Sequence, residues 1–213
     1  MKKMRNSLIV TLVALAMVFT TACGGSFDAS GYITAFMDML TKGEVAQYAE
    51  LTGQSEEDAG KDYQEILDAM KEAFDQEGVT EETKQKVVDV YVDVLKKAKY
   101  TVHDAEKTDE GYDVVVDIEP ITGLYEGLMD EVSGEMDAAV ESGELTSDNM
   151  YEWIYSNMAD KMATRVDSLS YGEAQSVTIQ IVKGDDGYEI KDQDNVSERI
   201  GELLIDQSGI EAS

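Results

Sequence analysis

Gly111-Tyr112-Asp113-Val114-Val115-Val116-Asp117-Ile118-Glu119-Pro120 alternates strictly. Tyr112, Val114, Val116 and Ile118 fall on one side, and Asp113, Asp117 and Glu119 on the other. A period of two with one apolar and one acidic face predicts a half-buried β-strand. Pro120, the only proline of the chain, is expected to close it. Asp109-Glu110-Gly111 reads as a turn, and Tyr100 and Val102 before it as the partner strand. The pattern recurs later, where Val177, Ile179 and Ile181 alternate, Gly184-Asp185-Asp186-Gly187 turns, and Tyr188 and Ile190 alternate in return. Two hairpins predict a four-stranded antiparallel sheet from residues of about 98–119 and 174–192.

Outside these strands the period is helical. Ile33, Phe36, Met37 and Leu40 recur at three and four, with Lys42-Gly43 as a stop; Val45, Tyr48 and Ala49 suggest a short helix ended by Gly53. Ser55 reads as an N-cap before Ala59, Tyr63, Ile66, Leu67, Met70 and Phe74, with Gly78 as the stop, and Thr80 caps a helix with Val87, Tyr91, Val94 and Leu95 inward. Lys96, Lys97 and Lys99 follow, where cations suit a helix C-terminus. Between the strand pairs, Leu124, Leu128, Val132, Met136 and Val140 step by four, as do Met150, Ile154, Met158, Met162 and Val166. Each such step overshoots a turn by about 40°, so both stripes drift around their helices. Gly143 and a cap at Ser147 or Asp148 make the two an antiparallel helical hairpin. Asp194 or Asn195 is expected to cap a last helix carrying Val196, Ile200, Leu203 and Leu204. The fold class is therefore α+β, one domain over residues 28–206, with residues 207–213 expected to fray. A local echo links Lys107–Val114 to Lys183–Ile190; hairpin turns converge on Asp and Gly, and the helical blocks show no matching similarity.

The start of the chain reads as an address. Lys2, Lys3 and Arg5 precede an apolar run from Leu8 to Phe19, then Thr20-Thr21-Ala22-Cys23. A basic start, a short apolar core and a small residue before a cut define a secretory signal. The run falls short of the roughly 20 apolar residues that span a bilayer. Cys23 is the only cysteine and so has no partner for an intrachain disulfide. This stretch resembles the lipobox of bacterial lipoproteins, with Thr20 standing where such boxes most often carry Leu. The resemblance implies cleavage between Ala22 and Cys23, diacylglyceryl and fatty-acid modification of Cys23, and a short tether over residues 23–27. Two acyl chains suffice for stable attachment where one is marginal. The expected location is the outer face of the cell membrane. Loss of residues 1–22 leaves 191 of 213 residues and, with three cations gone, moves the net charge from −28 to −31. That balance argues against nucleic acid, whose phosphates demand Lys and Arg, and suits a dispersed body held off an anionic surface.

The layout as a whole resembles a group of small lipoproteins of unknown function from Gram-positive gut bacteria, on the lipobox, the helical region and the late Val182-Lys183-Gly184-Asp185-Asp186-Gly187-Tyr188-Glu189-Ile190 hairpin. Their domains are similar to cystatin-like or nuclear-transport-factor-like folds, which implies helices packed on an antiparallel sheet.

Chemistry is sparse. His103 is the only histidine, and no nucleophile and orienting acid stand near it in the manner of a triad. Zinc would need several His or Cys ligands, so no metal site is expected. Asp185-Asp186-Gly187 and Asp192-Gln193-Asp194-Asn195 lack the spacing of a calcium loop. No phosphate-binding glycine loop and no cofactor motif appears, and no catalytic residue is assigned. Asp113, Asp117 and Glu119 could line one sheet face, so a carboxylate hydrolase acting on cell-wall glycan is the alternative reading, beside a purely structural envelope lipoprotein. Tyr151, Trp153 and Tyr155 crowd one helix and are the candidate rim of a ligand cleft. The expected function is a non-catalytic module that binds a peptide, glycan or envelope protein near the membrane.

Overall fold

The computed structural model describes residues 27–184 and 187–210; Ala22, Cys23 and the rest of the expected signal lie outside them. Four helices come first, α1 (Ala29–Lys42), α2 (Ala46–Thr52), α3 (Glu56–Glu72) and α4 (Glu81–Leu95). Strands β1 (Lys99–Val102), β2 (Glu106–Lys107), β3 (Gly111–Glu119) and β4 (Ile121–Thr122) follow. The helical hairpin α5 (Leu128–Ser142) and α6 (Met150–Arg165) leads to β5 (Ser170–Tyr171), β6 (Gln175–Lys183), β7 (Tyr188–Ile190) and α7 (Gln193–Leu204). The fold is α+β, as the sequence pattern predicts.

The main sheet has the antiparallel order β1-β3-β6-β7, with the short β2 also paired to β3. The register keeps the alternation: Tyr100 faces Ile118, Val102 faces Val116, and Val114 faces Ile179. Val114, Val116, Ile118, Ile179 and Ile181 are buried. Helices α1 and α7 pack on β3, α4 packs between α1 and α6, and α5 leans on α6. The drift of the stepping-by-four stripe shows in α5. Val140 lies about 120° around the helix from Leu128, whereas Ala139 lies about 20° away. Accordingly Ala139 is buried and Val140 is 58% exposed.

Pro120 closes β3 as expected, and the unpredicted feature is the short β4 just after it, which pairs with β5 in a second, two-stranded sheet. Several expectations are corrected. The cap of α6 is Asn149, whose Oδ1 accepts from the N–H and hydroxyl of Thr146, rather than Ser147 or Asp148. The residue before α7 is Asp192, not Asp194 or Asn195; it adopts φ 51°. A two-residue link from β7 to α7 must turn sharply, and Asp tolerates the left-handed conformation better than most residues. Phe27 belongs to the folded body rather than to a free tether, since it packs against the core. At the other end, Ser208–Ile210 form a turn of 3-10 helix instead of fraying. A Cβ on Gly209 would lie 2.6 Å from the Tyr125 carbonyl, so the turn is pressed onto the loop before α5.

Candidate functional site

A cleft of about 730 Å³ opens where the two sheets meet. Its floor includes Pro120 and Leu203, both buried. Thr122, Gln175 and Ser208 add polar groups, and Glu173, Arg199, Glu202 and Asp206 stand around them. Three long-range contacts build it. The Gly172 N–H donates to the Pro120 carbonyl at 2.9 Å, Ile121 bridges in parallel to Ile205, and the Asp206 N–H donates to the Ile121 carbonyl at 2.9 Å. The tail is then wound by the Asp206 carboxylate, which accepts from the Ser208 N–H at 2.9 Å and from its hydroxyl at 3.1 Å. Arg199 pairs with Glu202 at 3.1 Å, which leaves carboxylates in excess in the cleft. Size and mixed lining match sites for small or segmental ligands, and the negative balance disfavours anionic ones.

The aromatic residues expected at a rim lie elsewhere. Trp153 and Tyr155 are buried, and Tyr155 sets its edge on Phe74 with ring centroids 5.8 Å apart. The two lie about 200° apart around α6, so that helix is covered on two sides. Tyr151, in the first helical turn, is exposed, and with Met150 and Val140 it forms an apolar tip on the helical hairpin. None of the three lines the cleft. The indole Nε1 of Trp153 is buried without a hydrogen-bond partner among the described residues.

The carboxylates of β3 face outward, away from the helices. The His103 Nε2 lies 2.7 Å from Asp117 Oδ2, and the Ser176 hydroxyl donates to Asp117 Oδ1 at 2.6 Å. The acid therefore stands between serine and histidine, so the serine hydroxyl meets the Asp117 carboxylate and not the imidazole, unlike the order of a catalytic triad. The bonds from Ser176 and then His103 hold the Asp117 carboxyl below its ordinary range. An acid kept ionised has no proton to give a leaving group at neutral pH. Asp113 accepts from the Gln180 amide at 3.3 Å. Among the described residues, no group of three or more His, Cys, Asp or Glu is placed to hold a metal ion. The helix-terminal lysines are spent locally: Lys96 pairs with Asp93, Lys97 with Asp167, and Lys99 lies over the Tyr171 ring.

The opposite end of the sheet carries an aromatic cluster. Phe27 stacks on Tyr188 at 4.6 Å and lies 5.8 Å from the ring of Tyr112; Tyr112 and Tyr188 meet edge-on at 5.5 Å. Tyr112 pairs with Ile181 and Lys183 with Tyr188, so this cluster sits beside the two hairpin turns. Each turn is closed by the same bond between its flanking residues, Thr108 N–H to Gly111 O at 3.0 Å and Gly184 N–H to Gly187 O at 2.7 Å. The sequence echo is thus matched by a shared closing bond. No helix among the described residues is long and apolar enough to cross a membrane.

No protein-family model matches the sequence, and no curated protein is similar to it. A solved structure is similar: ycdA of Bacillus subtilis, a candidate lipoprotein, at 14% identity and a TM-score of 0.58, over 84% of this chain and 56% of that one. The chain thus spans little more than half the length of that protein. At this identity the likeness shows the fold alone, helices packed on an antiparallel sheet.

Proposed function

We propose that the chain is a membrane-anchored extracytoplasmic lipoprotein whose body is a non-catalytic binding module, with the cleft at the Pro120 end of the sheet as its ligand site. The cleft carries this reading: three sequence-distant segments are fastened by backbone hydrogen bonds around an apolar floor with a polar rim. That construction favours a hydrated, neutral or cationic segment of peptide or glycan. The lipobox around Cys23 supports the anchor, as does the fold shared with a candidate lipoprotein.

Two measurements test it. Cys23→Ala is expected to leave unprocessed precursor and to abolish incorporation of radiolabelled fatty acid; an alanine variant that is still acylated would refute the anchor. For the cleft, exposed Ala174→Trp fills the opening without touching the core. Capture of an envelope peptide, glycan or protein by the wild type should fall at least about tenfold in the variant, equivalent to about 1.4 kcal/mol. Capture unaffected by the tryptophan would place binding elsewhere. Wall hydrolysis that disappears on replacing Asp113 or Asp117 would make the protein a hydrolase instead.

A further inference from the structure

We infer that the body stands on the membrane by its hairpin-turn end, so that the cleft opens away from the bilayer and meets ligands that are not lipid headgroups. The inference rests on the lipid-anchored reading above and adds an orientation to it. Cys23 is four residues before Phe27, and an extended chain covers at most about 14 Å over that distance. Phe27 is held between Tyr112 and Tyr188, one strand-end from both turns. The attachment point is therefore fixed beside Glu110 and Gly184 rather than free to swing around the body. From there α1 runs along the sheet, with the Ser30 hydroxyl accepting from the Ala105 N–H and Lys42 over the ring of Tyr100.

The cleft lies at the far end of the same strands. β3 runs from Gly111, beside the cluster, to Glu119, next to Pro120 in the cleft wall. Nine residues of antiparallel strand place the two ends about 27 Å apart. That is several times the roughly 8 Å over which surface charge is felt at physiological salt, so the bilayer's own potential does not reach the cleft. The turn end carries Asp28, Asp109, Glu110 and Glu189 against Lys107, Lys183 and Lys191, with Lys191 already 3.3 Å from Glu110. Its acid excess opposes insertion among anionic headgroups, so the tether rather than surface charge keeps this end near the membrane.

The test uses the full lipidated chain on phosphatidylcholine vesicles containing a minor fraction of anionic lipid and an acceptor dye on headgroups. A donor dye is placed on Asp109→Cys, at a turn, or on Glu173→Cys, at the cleft; both positions are exposed. Energy transfer is expected to be severalfold higher from position 109, and Phe27→Ala should erase most of that difference while the protein still floats with the vesicles. Equal transfer from the two positions, or more from 173, on protein that floats would overturn the orientation alone. A difference that survives Phe27→Ala would overturn the aromatic clamp as its cause. Protein that fails to float would overturn the lipid-anchored reading together with the orientation.

Discussion

Gly111→Ala is expected to destabilise the protein by about 3 kcal/mol and to lower Tm by roughly 10 °C. Gly111 opens β3, opposite Val182 of β6. A Cβ there would lie 2.0 Å from the carbonyl oxygen of Ile181 and 3.0 Å from its carbon. Both are backbone atoms of the neighbouring strand, so no side-chain rotation relieves the contact. The strand must move, and the β3–β6 ladder that joins the two hairpins moves with it. The turn is bound to the same residue through Gly111 N–H to the Thr108 hydroxyl at 3.1 Å, and its neighbour Glu110 accepts from the Lys183 N–H at 3.1 Å. Gly134→Ala supplies the control. It lies inside α5 with open space around its Cβ position, so the change should stabilise by up to about 1 kcal/mol. Thermal unfolding reads both signs. A Gly111→Ala variant melting within two degrees of wild type would mean that β3 and β6 are not so closely apposed.

The strands that could be read from the sequence are those with one buried face. Val114, Val116 and Ile118 alternate with acids because helices cover one side of β3 and water the other, and that asymmetry is written in every second residue. Strands β2, β4 and β5 have two residues each, too few to show a period. Their pairing is decided by partners far along the chain. The caps divide in the same way. Ser55 and Thr80 each accept from the backbone N–H three residues on, a local bond at a spacing the sequence displays. Asn149 instead holds Thr146 and the Glu144 carbonyl behind it, and Asp192 makes no side-chain cap bond.

The cleft was hidden for a related reason. Its walls come from residues 120–122, 172–175 and 199–208, joined by the Ile121–Ile205 bridge and the Gly172–Pro120 bond. Residues 199–204 do show a helical pattern, but no pattern within any one of these segments tells that the other two lie beside it. Tyr151, Trp153 and Tyr155 drew attention because large aromatics crowd one helix, and periodicity shows that they cannot share a face. It does not show how many faces are covered. Helix α6 touches both α4 and α5, so two opposite sides are buried and only Tyr151 reaches solvent. The acids of β3 lie on the outer face, where the alternation puts them. That Asp117 takes both Ser176 and His103 depends on the register of three strands.

Within the core, a single atom should give the second large effect. The hydroxyls of Tyr91 and Tyr125 meet at 2.6 Å, both wholly buried, joining α4 to the loop before α5. Burial, first of all, pushes both phenols well above their ordinary range, so both stay neutral and the contact is a hydrogen bond between uncharged groups. Tyr91→Phe removes one partner and leaves the Tyr125 hydroxyl in an apolar interior with nothing to bond. The expected cost is about 1–3 kcal/mol, the desolvation penalty of an orphaned polar group, and Tyr125→Phe should cost a similar amount. The double replacement removes both hydroxyls while keeping the rings, and Phe74 still lies 5.9 Å from ring 91. It should therefore recover most of the loss, ending within about 1 kcal/mol of wild type. Urea unfolding of the four proteins measures the coupling directly, with an unchanged denaturant slope as the sign that the unfolded state is untouched. Costs that simply add in the double variant would show that each hydroxyl has a separate partner, and the bond between α4 and the α5 approach would then be discarded.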